Sequence, residues 1–150
     1  MATGHRILDL DRYFPFLLTA LSNKWSSAAS QLYVKGFGIG VIEMRVLTAA
    51  ACVPGLRPND ICQLVGIDKG AVAKALKALE GRKFVITAAN TRDARSKTIK
   101  LTKAGWALHD DILVVALARQ ERLLAPLSLD DRERLLDYLR TLLAHLPSLK

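Results

Sequence analysis

Apolar residues recur at three- and four-residue spacing at both ends of this 150-residue chain. Between them stand two short helical stretches, a turn and two alternating strands. This pattern predicts a mainly α fold, a winged helix-turn-helix with a two-stranded wing hairpin, flanked by N- and C-terminal helices. The expected division is 40–102 for the winged helix and 1–39 with 103–150 for the flanking helices.

The first helical stretch runs from about Leu8 to Val34. Phe14, Leu17, Leu18, Leu21, Trp25, Ala28, Ala29 and Leu32 form a stripe expected to be buried. Pro15 fits only a first turn or a kink, so the regular helix begins near it. Gly36, Gly38 and Gly40 are expected to break the helix. A second helix fits Val41–Cys52, with Val46, Leu47 and Ala50 inward, and Pro54, Gly55 and Pro58 end it. A third fits Asn59–Val65, with Asn59 as N-cap. Gly66 turns the chain. Asp68 caps a fourth helix from Lys69 to about Arg82, with Val72, Ala75, Leu76 and Leu79 on one face and Lys69, Lys74 and Lys77 on others.

Phe84–Ala88 is rich in strand formers, and Thr98–Leu101 alternates polar with apolar. The charged stretch between them makes a hairpin tip. Thr102 caps a fifth helix that reaches Leu124 before Pro126. Ser128 and Asp131 form a capping-box-like start for a last helix carrying Leu129, Leu135, Leu136, Leu139, Leu142, Leu143 and Leu146.

A hydrophobic content of 51% supports a real core and excludes a disordered tail. The longest apolar runs, Ala49–Val53 and Ile112–Ala118, fall far short of the roughly 20 residues that span a bilayer. No membrane association is expected. Met1–Arg12 lacks the apolar stretch of a secretory leader. Cys52 and Cys62 are too few for a disulfide framework, have no metal-ligand spacing, and fit a reducing cytoplasm. Their apolar neighbours favour core positions over thiol-based redox sensing.

The net charge is +8, from 22 basic and 14 acidic residues. Eleven of the basic residues but only four of the acids lie between Val53 and Ala107. Charge concentrated in a third of the chain points to a polyanion partner. Lys69, Lys74 and Lys77 could form a solvated face, but in a helix-turn-helix they suit DNA phosphates, which give affinity and register. Arg95 at the wing tip suits a narrow minor groove, with Asp93 orienting it or simply stiffening the wing. Arg92 and Lys97 suit phosphates, and Arg57 and Asn59 could touch the backbone. Nothing resembles a phosphate loop, a His-Glu cluster or a nucleophile elbow, so neither catalysis nor a cofactor is expected. His5, His109 and His145 show no metal-ligand spacing.

The segment Asp93-Ala94-Arg95 followed by Leu101-Thr102-Lys103-Ala104-Gly105 resembles the wing signature of the MarR (multiple antibiotic resistance regulator) family, Asp-x-Arg then Leu-Thr-x-x-Gly. Leu64, Ile67-Asp68-Lys69, Val72, Leu76 and Leu79-Glu80 support it. Two departures stand out. Gly70, Ala71 and Ala73 occupy the early recognition helix where the family often has small polar residues, leaving apolar contact with a thymine methyl as one means of base reading. Lys83 follows that helix where the family usually has Gly.

The resemblance implies a cytoplasmic, ligand-responsive homodimeric repressor. Its flanking helices would dimerise and its two recognition helices would read a pseudo-palindromic double-stranded operator. It also implies release by a small aromatic carboxylate, phenol or thioester, bound between the dimerisation helices and the winged helix. Trp25, Ser26, Ser27, Ser30, Arg45, Trp106 and His109 could line such a site, with Arg45 pairing with a carboxylate. Structural roles compete: Arg45 bridged to Glu43 or Asp110, the Trp residues in the core, the Ser residues as helix spacers. The family's peroxide sensors carry a reactive Cys near the start of the first helix, where this chain has none. The alternatives are a winged-helix module for RNA or protein assembly and a thiol-based redox-sensing repressor.

Overall fold

A computed structural model describes residues 4–89 and 96–149. The helices are α1 (Phe14–Phe37), α2 (Val41–Cys52), α3 (Pro58–Val65), α4 (Lys69–Gly81), α5 (Lys103–Leu124) and α6 (Leu129–His145). Strands β1 (Val85–Ala89) and β2 (Lys97–Leu101) stand between α4 and α5, and a 3-10 turn, Leu146–Leu149, closes the chain. Two compact units result, Met1–Ile112 and Leu113–Lys150.

In the first unit, β1 and β2 pair antiparallel with Val85 opposite Leu101 and Ala89 opposite Lys97. The alternation buries Val85 and Ile99 and leaves Ile86 in solvent. The Ile99 N–H donates to the Leu56 carbonyl at 2.9 Å, joining the wing to the segment before α3. The core gathers Tyr33, Ile39, Val46, Leu47, Ile61, Val72, Leu79, Val85, Ile99 and Ile112. Val46, Leu47 and Ala50 of α2, and Val72, Ala75, Leu76 and Leu79 of α4, are buried as their spacing predicts.

Several boundaries differ from expectation for identifiable reasons. Pro15 sits in the first turn of α1, where a missing N–H costs nothing, so the helix starts at Phe14, beside Pro15 as expected. Gly36 remains helical, and the break falls at Gly38, whose φ of 69° makes it a left-handed cap donating to Val34. Pro58 takes the first position of α3, so the N-cap is Arg57 and not Asn59. The stripe from Phe14 to Leu32 is buried only at Ala29, with Tyr33 beyond it. Phe14, Leu17, Leu18, Leu21 and Leu32 are exposed.

In the second unit, Ser128 caps α6 by accepting from the Asp131 N–H at 3.1 Å. Arg132 fixes the preceding turn, bonding to the Leu124 and Leu127 carbonyls and pairing with Glu121 at 2.8 Å. No residue of α6 is buried, and Leu129, Leu142, Leu143 and Leu146 lie exposed.

The link from α4 to β1 is a tight knot. The Lys83 N–H donates to Glu80 and the Phe84 N–H to Leu79, each at 2.9 Å. These are the paired bonds of a Schellman ending, which requires a left-handed residue. Lys83 supplies it with a φ of 61°, alone among the described non-glycine residues. Thr102 then locks the knot from the far side. Its hydroxyl donates to Lys83 O at 2.7 Å with Phe84 O at 3.2 Å, its N–H bonds Phe84 O, and its Oγ1 caps α5 by accepting from Gly105 N–H. A Cβ on Gly105 would lie 2.0 Å from the Phe84 carbonyl oxygen. The Leu-Thr-x-x-Gly segment is therefore the seam between wing and α5.

Two substitutions in the knot should act in opposite directions. Gly105→Ala should destabilise by about 3 kcal/mol or more, because the contact is backbone and cannot move aside. Lys83→Gly should stabilise by about 0.5 kcal/mol, since relief of left-handed strain slightly exceeds the added unfolded-state entropy. Urea denaturation of both variants checks the signs.

Candidate nucleic-acid interface

Helix α4 separates its faces cleanly. At 100° per residue, Val72, Ala75, Leu76 and Leu79 fill one arc and are buried. Lys69, Gly70, Ala73, Lys74, Lys77 and Glu80 fill the opposite arc and are exposed, with Ala71 half-buried at its edge. Asp68 starts the helix, its carboxylate accepting from the Ala71 N–H at 2.9 Å. The buried arc anchors α4 against α2 and α3 and so turns its basic arc outward.

Asn59 of α3, Lys69, Ala73 and Lys77 of α4, and Lys97 of β2 line one open groove of about 680 Å³. Its floor is apolar, with Val72 and Leu76, and Glu80 is its one described acid. Lys77 falls near the middle of the exposed arc. Lys74, Ala71 and Ala75 line a second groove of about 400 Å³, with Ser30 of α1 and Gly40–Glu43. Among the described residues, Lys69, Lys74, Lys77 and Lys97 take part in no ion pair. Arg92, Asp93 and Arg95, expected at the wing tip, lie outside the described residues.

Arg57 is engaged before any ligand arrives. Its Nε and Nη2 donate to the two Asp60 oxygens at 2.9 Å each, and its backbone N–H donates to Asp60 at 3.0 Å. The Arg57 side chain, and then its backbone N–H, hold the Asp60 carboxyl below the usual aspartate range. The clasp sets the first turn of α3.

The remaining candidates form separate groups. Arg45 Nη2 donates to Ser26 Oγ at 2.7 Å in a half-buried setting. This replaces the expected bridge to Glu43 or Asp110, since among the described residues no carboxylate pairs with Arg45. Trp25 is half-buried beside this pair in sequence, Ser27 is exposed, and Ser30 belongs to the second groove. Trp106 and His109 stack edge to face, 5.6 Å between centroids, and His109 Nδ1 lies 3.1 Å from Asp110. Their hydrogen bonds and ring contacts do not reach Arg45 or Ser26. Trp106 is exposed, so the core role fails for it. Cys52 is likewise exposed rather than in the core, and Cys62 is half-buried with its thiol donating to Pro58 O at 3.4 Å. No described helix is long and apolar enough to cross a membrane.

Residues 37–96 match the model of the MarR family. The chain is similar to the MarR/EmrR family transcriptional regulator from Acinetobacter sp. ADP1, with 26% identity over 94% of this chain and 99% of that one, and a TM-score of 0.88. It shares the fold of S. aureus MepR, solved as a complex with DNA, at 22% identity, 91% and 98% coverage and a TM-score of 0.78. It also shares the fold of the PcaV regulator of Streptomyces coelicolor, solved with its natural ligand, at 23% identity, 92% and 96% coverage and a TM-score of 0.76. No curated protein matches the chain.

The Asp60 clasp carries a pH signature. Because its folded pKa is depressed, its contribution is complete above the ordinary aspartate value of about 3.9 and is lost as pH falls through the folded value. Carbon NMR titration of the Asp60 carboxyl should give a lower midpoint in the wild type than in Arg57→Ala. Equal midpoints would mean that the clasp does not form.

Proposed function

We propose that this chain, whose residues 37–96 match the MarR family model, is a cytoplasmic, homodimeric, ligand-responsive transcriptional regulator. It acts as a repressor on a pseudo-palindromic operator. The observation that carries this reading is the groove where Asn59, Lys69, Lys77 and Lys97 converge from three elements without carboxylate partners among the described residues. Unneutralised lysines around a helix whose other face is fully anchored suit a polyanion backbone.

The DNA-contacting set is Arg57, Asn59, Lys69, Gly70, Ala71, Lys74, Lys77, Arg92, Asp93, Arg95 and Lys97. The lysines and Arg57 meet phosphates, and Gly70 and Ala71 let the helix approach the bases closely. Arg95 enters the minor groove beside Asp93. The flanking helices, 1–39 and 103–150, dimerise. The exposed apolar residues of α1 and α6 support this, because a second copy would cover them. Two recognition helices would then stand about 34–36 Å apart, one turn of duplex.

The effector is a small aromatic carboxylate, phenol or thioester. Arg45, held by Ser26, supplies the carboxylate-binding fork. Trp25, Ser27, Ser30, Trp106 and His109 supply stacking and polar contacts as the dimer closes the site. Its binding releases DNA.

A mobility shift with duplex from upstream of the chain's own gene tests this, run with and without a panel of those compounds. The expected result is a shift that one compound abolishes in the wild type but not in Arg45→Ala. Arg95→Ala should weaken the shift by about 1–3 kcal/mol. A shift that no compound abolishes would remove the effector class. No shift at low salt would point to RNA or protein assembly instead.

A further inference from the structure

Arg82 stands outside the DNA-contacting set, yet its side chain links two helices far apart in sequence. Its Nη1 donates to Gly38 O at 2.5 Å and its Nη2 to Phe37 O at 3.5 Å. These are the last carbonyls of α1, left without partners by the helix ending and carrying its partial negative charge. The guanidinium also lies over the Phe84 ring, 4.9 Å from its centroid. A planar fork can hold two carbonyls and stack at once, and an ammonium cannot.

Both ends of this link are fixed. The Arg82 N–H bonds Ala78 O, and Lys83 and Phe84 close the Schellman ending behind it, so the backbone at residue 82 moves with α4. Gly38 is locked in the left-handed region, and a Cβ there would come within 3.2 Å of Arg82 Nη1. The Phe84 carbonyl is bound in turn to Thr102 at the start of α5. One side chain thus joins the exit of the recognition helix to the end of α1 and, through Phe84, to the root of α5.

We propose that Arg82 is a positioning residue for operator recognition. It sets the angle between α4 and α1, and with it the separation of the two recognition helices in the dimer. This rests on the dimeric DNA-binding reading above. The lever is long: α4 spans 13 residues. A helix of that length measures about 20 Å, so a rotation of about 5° at its C-terminal end shifts its N-terminal residues by about 2 Å. That exceeds the tolerance of a base-edge hydrogen bond.

The test is selection of binding sites from a random duplex pool by the full-length wild type, Arg82→Ala and Arg82→Lys. The wild type should enrich two half-sites at a single separation. Both variants should enrich the same half-site at mixed separations. On the wild-type sequence they should lose about tenfold in affinity, the equivalent of one mismatched base pair, with the salt dependence unchanged. Arg82→Lys carries the test if the alanine variant fails to fold, because it keeps the charge and loses the fork. A single retained separation in both variants overturns the proposal. So does a lysine variant that binds as wild type while the alanine variant loses about one phosphate's worth of salt slope, which would make Arg82 a phosphate contact. A wild type that enriches no paired half-sites removes the dimeric DNA-binding reading itself.

Discussion

The closeness of Gly105 to the Phe84 carbonyl is the constraint from which the first unit is built. Only a hydrogen atom fits there. Because it fits, Thr102 can reach the Lys83 and Phe84 carbonyls with its hydroxyl while capping α5. The end of α4, the two roots of the wing and the first turn of α5 thereby share one hydrogen-bonded seam. Helix α4 and the wing do not hang on flexible linkers. They leave one point, and Lys69, Lys77 and Lys97 line one groove.

Anchorage and exposure are two sides of the same pattern in α4. Four apolar residues in one arc give the helix its hold, and the leftover arc carries its lysines outward. Gly70 and Ala73 on that arc keep it thin. A thin, positively charged helix can approach a duplex closely, with phosphates setting its register and few polar side chains competing for base edges. Arg57 is clasped by Asp60, so its charge is balanced locally and its ordered side chain fixes the start of α3.

Much of this was legible in the sequence. Local signals marked most ends: Asp68 and Thr102 as caps, Gly66 as the turn, and the alternation that buries Ile99. The boundaries that moved did so because Pro58 prefers a first-turn position, and because only Gly38 of three glycines was needed in the left-handed region. The Phe14–Leu32 stripe was misplaced because helical spacing shows that a face is apolar, not that it is packed away from solvent. Lys83 could be read only as a departure from a glycine, and its φ explains what the glycine would have done. The Arg82 link joins residues 44 apart and binds carbonyls that every residue possesses, so no side-chain pattern announces it. The grouping of Lys77 with Lys97 likewise needs the wing folded back toward α4.

On the reading proposed above, this converged basic face neutralises duplex phosphates. The salt dependence of duplex binding measures it most directly, by fluorescence anisotropy with the full-length chain. Log K should fall linearly with log [salt] by about 0.9 per phosphate contacted, giving a slope steeper than about −5 when two winged helices engage. A slope shallower than about −1 would mean that the lysines of α4 and β2 are a solvated surface, and the account of this face would be wrong.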